Sequence, residues 1–137
     1  MKILVICTGN SCRSQMTEGI LKSLNPALEV YSAGTRPAHS VSRMAVAVLK
    51  EIGIDISTNY PKSIDEFAMQ DFDYVITVCG DARDNCPVFA GSVKHRLHIG
   101  FEDPSTLQGS DDYRLEQFRK VRDKILYKMK IFLESIK

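Results

Sequence analysis

The chain has 137 residues, of which 44% are hydrophobic, and its formal net charge is +1. This length and hydrophobic content predict a single domain over residues 1–137. The balanced charge and the lack of a dense basic cluster argue against a nucleic-acid partner. No apolar run approaches membrane-spanning length, and the N-terminal run is too short for a signal peptide.

We therefore expect a cytoplasmic protein without membrane contact, and we expect it to be a monomer. A reducing cytoplasm disfavours structural disulfides. The four cysteines of the chain are thus expected to serve catalysis, redox chemistry or metal binding.

Hydrophobic periodicity predicts strands and helices in alternation. Apolar runs typical of strands occupy residues 2–6, 28–33, 74–78 and 96–99. Helical spacing predicts helices over about residues 14–24 and 41–52, a short helix over 64–69 and a long last helix capped by Ser110. Residues 80–94 are predicted to form a polar loop. The alternation predicts right-handed βαβ units, and hence an α/β fold with a parallel sheet covered on both faces.

Three chemically active side chains follow predicted strands, namely Cys7, Cys79 and Asp103. Ligands of parallel sheets bind beyond the carboxyl ends of the strands. We therefore expect these three side chains to converge on one site.

The segment from Cys7 to Ser14, Cys-Thr-Gly-Asn-Ser-Cys-Arg-Ser, joins the first strand to the first helix. Backbone N–H groups of such a turn form an anion cradle, to which the helix N-terminus adds. Gly9 and Asn10 tolerate the left-handed conformations that a cradle needs. Arg13 can bind an oxyanion bidentately. A thiol at the edge of this cradle is expected to be a thiolate, so Cys7 is predicted to attack a bound tetrahedral oxyanion. The alternative is a plain buried cysteine at the end of a strand.

Other residues of this turn receive supporting roles. Ser14 is predicted to donate a hydrogen bond to the Cys7 thiolate, to cap the first helix, or to do both. Cys12 is interpreted as a packing residue rather than a second nucleophile. The oxyanion cradle is assigned to the residues that follow the nucleophile: Thr8, Gly9, Asn10, Ser11, Cys12 and Arg13.

Cys79 and Cys86 flank a polar, glycine-containing segment that can bend and bring the two thiols together. If Cys79 also approaches Cys7, thiol–disulfide exchange can pass the oxidised bond outward along three thiols. Two alternatives stay open. Cys79 is a small buried hydrophobic residue, or Cys79 and Cys86 bind zinc together with His95 and His98.

Asp103 is predicted to be a general acid. The following proline, Pro104, biases it towards an extended backbone, which suits a side chain held over the cradle. Glu102 is the competing candidate, and a plain Asp-Pro turn is the structural alternative.

Two motifs resemble known active-site segments. Residues 7–16, Cys-Thr-Gly-Asn-Ser-Cys-Arg-Ser-Gln-Met, resemble the active-site loop of the low-molecular-weight tyrosine phosphatase fold. Residues 78–87, Val-Cys-Gly-Asp-Ala-Arg-Asp-Asn-Cys-Pro, resemble the redox segment of thioredoxin-coupled arsenate reductases within that fold. Residues 101–104 and 118–123 extend the resemblance to essentially the whole chain. It implies a three-layer α/β sandwich with a four-stranded parallel sheet flanked by helices.

By this resemblance Cys7 is the nucleophile, Arg13 the oxyanion clamp and Asp103 the acid that protonates the leaving oxygen. Cys79 and Cys86 would carry a disulfide outward. Thioredoxin would then be the electron donor, and no bound cofactor is implied.

Some members of this family hold a potassium ion with residues that match Asn10, Glu18 and Ser32 and with a carboxylate further along the chain. In this sequence the carboxylate position falls on Lys62, with Asp65 close by. The lysine departs from the family pattern and brings the cation site into question.

The cradle alone cannot separate a reductase from a phosphatase, because arsenate and phosphate are both tetrahedral oxyanions. A phosphatase needs one thiolate, whereas reduction of As(V) to As(III) takes two electrons from a second thiol. The three placed thiols therefore favour arsenate reduction in arsenic detoxification, with a weak phosphatase side activity. The alternatives are a low-molecular-weight protein tyrosine phosphatase and a non-catalytic oxyanion sensor.

Overall fold

The computed structural model describes residues 1–85 and 91–137, which are built around a four-stranded sheet. Its strands are β1 (Lys2–Cys7), β2 (Glu29–Gly34), β3 (Phe72–Thr77) and β4 (Val93–His98). They pair in parallel in the spatial order β2-β1-β3-β4. The predicted parallel sheet is confirmed, with strand ends that differ by up to three residues from the predicted ones.

The helices are α1 (Arg13–Leu24), α2 (Arg43–Lys50), α3 (Gly80–Asn85) and α4 (Asp111–Ser135), with short 3₁₀ turns at Ile64–Glu66 and Pro104–Thr106. The predicted cap of α4 is confirmed, because the Ser110 side chain accepts a hydrogen bond from the Tyr113 N–H.

The prediction of a loop from residue 80 was wrong for residues 80–85, which form α3. This helix has no apolar stripe to reveal it. Its first turn is held instead by the sulfur of Cys79, which accepts a hydrogen bond from the Ala82 N–H at 3.4 Å. Residues 86–90 lie outside the described part of the chain.

The two faces of the sheet carry different elements. On one face, Ser32 of β2 donates a hydrogen bond to Glu18 of α1 at 2.6 Å. Phe132 of α4 meets Tyr74 edge to face on that side, with ring centroids 5.1 Å apart. Successive strand side chains point to opposite faces. Tyr31 therefore points to the other face, where its ring lies 5.5 Å from that of Phe67. The chain thus forms the three layers that the resemblance implied.

Strand β1 lies at the centre of the sheet, between β2 and β3. Its residues Ile3, Leu4, Val5 and Ile6 have no solvent exposure. Such a continuous apolar run is typical of a parallel strand buried on both faces. The strand therefore holds its last residue, Cys7, at a rigid point of the molecule. Among the described residues, no helix has both the length and the apolar character needed to cross a bilayer.

Candidate active site

The turn that follows β1 is bonded to residues 35–42. Four backbone N–H groups of this segment donate hydrogen bonds to carbonyl oxygens of the turn, with N···O distances of 2.7 to 3.1 Å. The accepting carbonyl groups are those of Cys7, Thr8, Gly9 and Ser11. Within the described residues, the N–H groups of Gly9, Ser11 and Cys12 find no acceptor. Unpaired N–H groups on one turn are what an oxyanion requires. The predicted cradle thus has occupied carbonyl groups on one side and these three free N–H groups on the other.

Asn10 supplies the sharp bend of this turn. Its φ is +51°, in the left-handed region, whereas Gly9 does not adopt that conformation. The bend brings the Asn10 N–H to 3.2 Å from the Cys7 sulfur. Gly34, at the end of β2, passes directly behind the turn, since a Cβ there would lie 2.5 Å from the Thr8 carbonyl oxygen. No local sequence pattern indicates that this position needs a glycine.

The hydroxyl group of Ser14 lies within hydrogen-bond distance of Cys7. Its Oγ lies 2.8 Å from the Cys7 sulfur and also accepts a hydrogen bond from Asn10 Nδ2 at 2.8 Å. A Cys7 thiolate has no proton to donate, so Ser14 is the donor to the sulfur when Cys7 is ionised. Hydrogen-bond donors aimed at a sulfur stabilise a negative charge on it. Ser14 does not cap α1, which begins after Cys12 without a side-chain cap.

Arg13 and Asp103 meet beside the cradle. Arg13 Nη1 donates to the Phe101 carbonyl oxygen at 3.1 Å, and its Nη2 lies 3.4 Å from Asp103 Oδ2. The other Asp103 oxygen accepts from the N–H and the hydroxyl of Ser105 at 3.0 and 2.6 Å. Glu102 has a side chain 84% exposed. The structure therefore brings Asp103, and not Glu102, to the arginine.

Cys79 lies just beyond β3 and is 5% exposed. Its sulfur is 3.4 Å from Thr8 Oγ1, in the residue that follows the predicted nucleophile. Thr8 donates its own proton to Asp81 Oδ2 at 2.9 Å. A second thiol is therefore buried at the edge of the anion cradle. Its predicted partner Cys86 lies outside the described residues, and so does part of the alternative zinc ligand set.

Cys12 is buried beneath the turn, where its thiol points to Met16 Sδ at 3.9 Å. Burial raises the pKa of Cys12 well above its ordinary value. A protonated, buried thiol is consistent with the packing role expected for this residue.

The residues of the questioned cation site are engaged with other groups. The two oxygens of Glu18 accept from Ser32 at 2.6 Å and from Lys22 at 2.9 Å. Asn10 Oδ1 accepts from the Lys62 N–H at 2.9 Å. Burial lowers the pKa of Lys62, and the nearby Glu18 carboxylate opposes that shift. The set therefore does not fit an additional cation, because two ammonium groups already lie near the carboxylate.

Sequence reasoning missed one buried polar residue of the site. Gln15 has no solvent exposure and contacts both the carbonyl and the side-chain oxygen of Asn10. Its place in the quoted motif was the only available signal, since its partners lie in other segments of the chain.

Comparison with known proteins agrees with this geometry. The sequence matches the family described as low molecular weight phosphotyrosine protein phosphatase over residues 2–137. A protein of Halalkalibacterium halodurans named arsenate reductase is 48% identical over 134 residues, covering 97% of this chain and 95% of that protein.

Two solved structures are similar over nearly the whole chain. One, described as an arsenate reductase in the phosphate binding state, has a TM-score of 0.83 at 32% identity and covers 99% of this chain and 98% of that one. The other is a low molecular weight protein tyrosine phosphatase from T. tengcongensis. It has a TM-score of 0.80 at 29% identity, and the match covers 98% of this chain and 99% of that one.

Proposed function

Because the chain belongs to the low molecular weight phosphotyrosine protein phosphatase family, we propose that it is an arsenate reductase driven by a relay of Cys7, Cys79 and Cys86. Thioredoxin is the proposed electron donor. The observation that carries this proposal is the burial of Cys79 within 3.4 Å of Thr8, at the edge of the cradle. A phosphatase has no use for a second thiol at this place.

In the first step the Cys7 sulfur attacks the arsenic of a bound arsenate. A bond forms between sulfur and arsenic, and one arsenic–oxygen bond breaks. The departing oxygen is that of an arsenate hydroxyl group, which takes one proton from Asp103 and leaves as water. The cradle N–H groups and Arg13 hold the remaining oxygens and their negative charge.

In the second step Cys79 attacks the Cys7 sulfur. A disulfide forms between them, and the electron pair of the sulfur–arsenic bond passes to arsenic, which leaves as arsenite. Cys86 then attacks Cys79 and frees the Cys7 thiolate. A dithiol such as reduced thioredoxin opens the Cys79–Cys86 disulfide and is itself oxidised, which completes the balance of two electrons.

We propose that residues 1–137 form one catalytic domain that acts as a monomer in the cytoplasm. The described hydrophobic side chains form one continuous core, which supports a single domain. A reducing compartment is needed to keep the free thiols of Cys7, Cys12 and Cys79 reduced between turnovers.

The decisive experiment measures arsenite formed from arsenate with thioredoxin, thioredoxin reductase and NADPH. We expect arsenite from the wild type and none from Cys7→Ser. Hydrolysis of an aryl phosphate without any arsenite would support the second candidate, a protein tyrosine phosphatase. That candidate is favoured by the similarity to the T. tengcongensis phosphatase.

A further inference from the structure

Gln15 is a buried amide for which the proposed steps have no use. It directly follows Ser14 in the first turn of α1 and has no solvent exposure. Its Nε2 donates to the carbonyl oxygen and the Oδ1 of Asn10 at 3.2 and 3.1 Å, and to the Tyr60 carbonyl oxygen at 3.2 Å. Its Oε1 accepts from Asn59 Nδ2 at 3.1 Å. Each polar atom of the amide therefore has a partner.

These contacts fix which way the Asn10 amide points. Asn10 Oδ1 receives two donors, Gln15 Nε2 and the Lys62 N–H at 2.9 Å. If the amide turned over, its NH₂ group would face both of these donors and its oxygen would face Ser14. Unpaired buried donors are costly. Gln15 and the Lys62 backbone together therefore hold Asn10 Nδ2 towards Ser14.

The orientation of Asn10 determines the hydrogen bonds that reach Cys7. With Nδ2 towards Ser14, the serine hydroxyl accepts at 2.8 Å from Asn10, and its proton is available to a Cys7 thiolate, whose sulfur also lies at 2.8 Å. The contact of Gln15 with the Asn10 carbonyl oxygen also braces the left-handed backbone whose N–H points to the sulfur. Both donors to Cys7 thus depend on Asn10, and Asn10 depends on Gln15.

We propose that Gln15 is a positioning residue that raises the reactivity of Cys7 through Asn10 and Ser14. This inference rests on the proposed role of Cys7 as nucleophile. Gln15 does not face the oxyanion cradle itself, because its amide is bonded to Asn10 and to residues 59 and 60.

The test is the rate at which iodoacetamide alkylates Cys7, followed by mass spectrometry of the peptide that contains it. Gln15→Met keeps the length of the side chain but removes the amide. We expect alkylation at neutral pH to fall about tenfold, as for the loss of one charge-assisted hydrogen bond. The pH at which alkylation is half-maximal should rise at the same time.

Thr17→Val is the matched control. Thr17 is also buried in α1, but its hydroxyl donates to the Arg13 carbonyl oxygen at 2.7 Å within the helix. We expect this variant to alkylate at the rate of the wild type within about twofold, because no bond to the sulfur changes. Equal losses in both variants would show that Gln15 has only a structural role.

A double-mutant cycle tests whether the effect passes through Asn10. In an Asn10→Ala background, Gln15→Met should cause no further loss of Cys7 reactivity. Independent, additive losses would overturn the proposed route.

If Gln15→Met does not fold, Asn59→Ala tests the same network, because Asn59 is half-exposed and its replacement disturbs the core less. It removes the donor to Gln15 Oε1, and we expect a loss of about threefold at nearly unchanged melting temperature. An unchanged rate in this variant would overturn the inference. Alkylation needs no arsenate, so failure of this inference is distinguishable from failure of the proposed function.

Discussion

The hydroxyl oxygen of Thr8 lies 3.4 Å from the sulfur of Cys79. Thr8 directly follows Cys7, so its side chain joins the anion cradle to the second thiol. Its proton is donated to Asp81 in α3 at 2.9 Å. Asp81 also lies 4.0 Å from Arg36, in the segment that supports the cradle. The start of α3 is therefore tethered to the turn that forms the predicted anion cradle.

Loss of this tether should make Cys79 easier to reach. In Thr8→Val the bond to Asp81 is removed while the side-chain shape is kept. We expect local opening of α3 to become more frequent and alkylation of Cys79 to rise several-fold, roughly the effect of one lost hydrogen bond. Peptide mapping after timed iodoacetamide treatment measures the alkylation rate of Cys79, and Thr17→Val is the control. An unchanged Cys79 rate would mean that the tether does not restrain α3.

The thiol relay predicts that two serine variants stop at different stages. Cys79→Ser should still attack arsenate with Cys7 but release almost no arsenite, because the second electron-donating thiol is gone. Cys86→Ser should complete about one turnover and stop with Cys7 joined to Cys79. Disulfide mapping after exposure to arsenate identifies each stage.

Wild type given arsenate without thioredoxin is the control for the relay, and it should accumulate the Cys79–Cys86 disulfide. Sustained turnover of Cys86→Ser with thioredoxin would remove Cys86 from the mechanism.

Asp103 is expected to act as the proton donor to the leaving oxygen. Its replacement by Asn keeps the hydrogen bonds with Ser105 but removes the transferable proton. We expect Asp103→Asn to lower kcat by about 100-fold or more. Glu102→Gln, at the exposed neighbour, should leave kcat within about twofold. Steady-state arsenite formation compares the two variants, and similar losses in both would contradict the assignment.

Lys62 is expected to make the protein indifferent to potassium. Its ammonium donates to the Tyr60 carbonyl oxygen at 3.1 Å and lies in the field of Glu18. Melting temperature and turnover should therefore be nearly equal in potassium and sodium salts at the same ionic strength. Lys62→Asp supplies a carboxylate and should introduce a potassium-specific rise in both. A large potassium-specific stabilisation of the wild type would show that the lysine does not take the place of an ion.

The ion pairs between Glu51, which directly follows α2, and two arginines of α4 predict a pH dependence of stability. A hydrogen bond from Arg119, with a further one from Arg122, lowers the pKa of Glu51 below its ordinary value of 4.5. A carboxyl group with a lowered pKa stabilises the folded state at pH values above its ordinary pKa. This stabilisation is lost as the pH falls through the lowered pKa of the folded state.

Glu51→Gln should consequently lower the melting temperature at pH 7, by about 1–3 °C for a partly exposed pair. Below about pH 4 the difference from the wild type should shrink. Thermal unfolding from pH 3 to 7 measures it. Glu116→Gln is the control, because it loses only the pair with Arg119, and it should lower the melting temperature less. A melting-temperature difference between Glu51→Gln and the wild type that stays constant from pH 3 to 7 would contradict the ionic explanation.

Elements with a strong local pattern were predictable from the sequence. The strand β1 was predicted to within one residue of its observed end, and the start of α4 was predicted at its Ser110 cap. The six-residue helix α3 was not, because its polar residues carry no periodicity and a sulfur holds its first turn.

The residues of the candidate site also differ in how far the local sequence predicts them. The proximity of Cys7 to Ser14 and Arg13 was predictable because all three residues lie within one short motif. Gly34 and Gln15 were not assigned roles, since their contacts join segments far apart in the chain and leave no mark on local spacing. The support of the cradle carbonyls by residues 35–42 was missed for the same reason.

Strand β4 forms one edge of the sheet, and all of its residues after Val93 are exposed. An exposed edge can recruit strands from other molecules and start aggregation, and natural proteins oppose this with charged side chains. Lys94 and Arg96 lie on this edge. Two copies that met edge to edge would bring these cations together, so the strand that leads towards Asp103 also disfavours growth of a continuous intermolecular sheet.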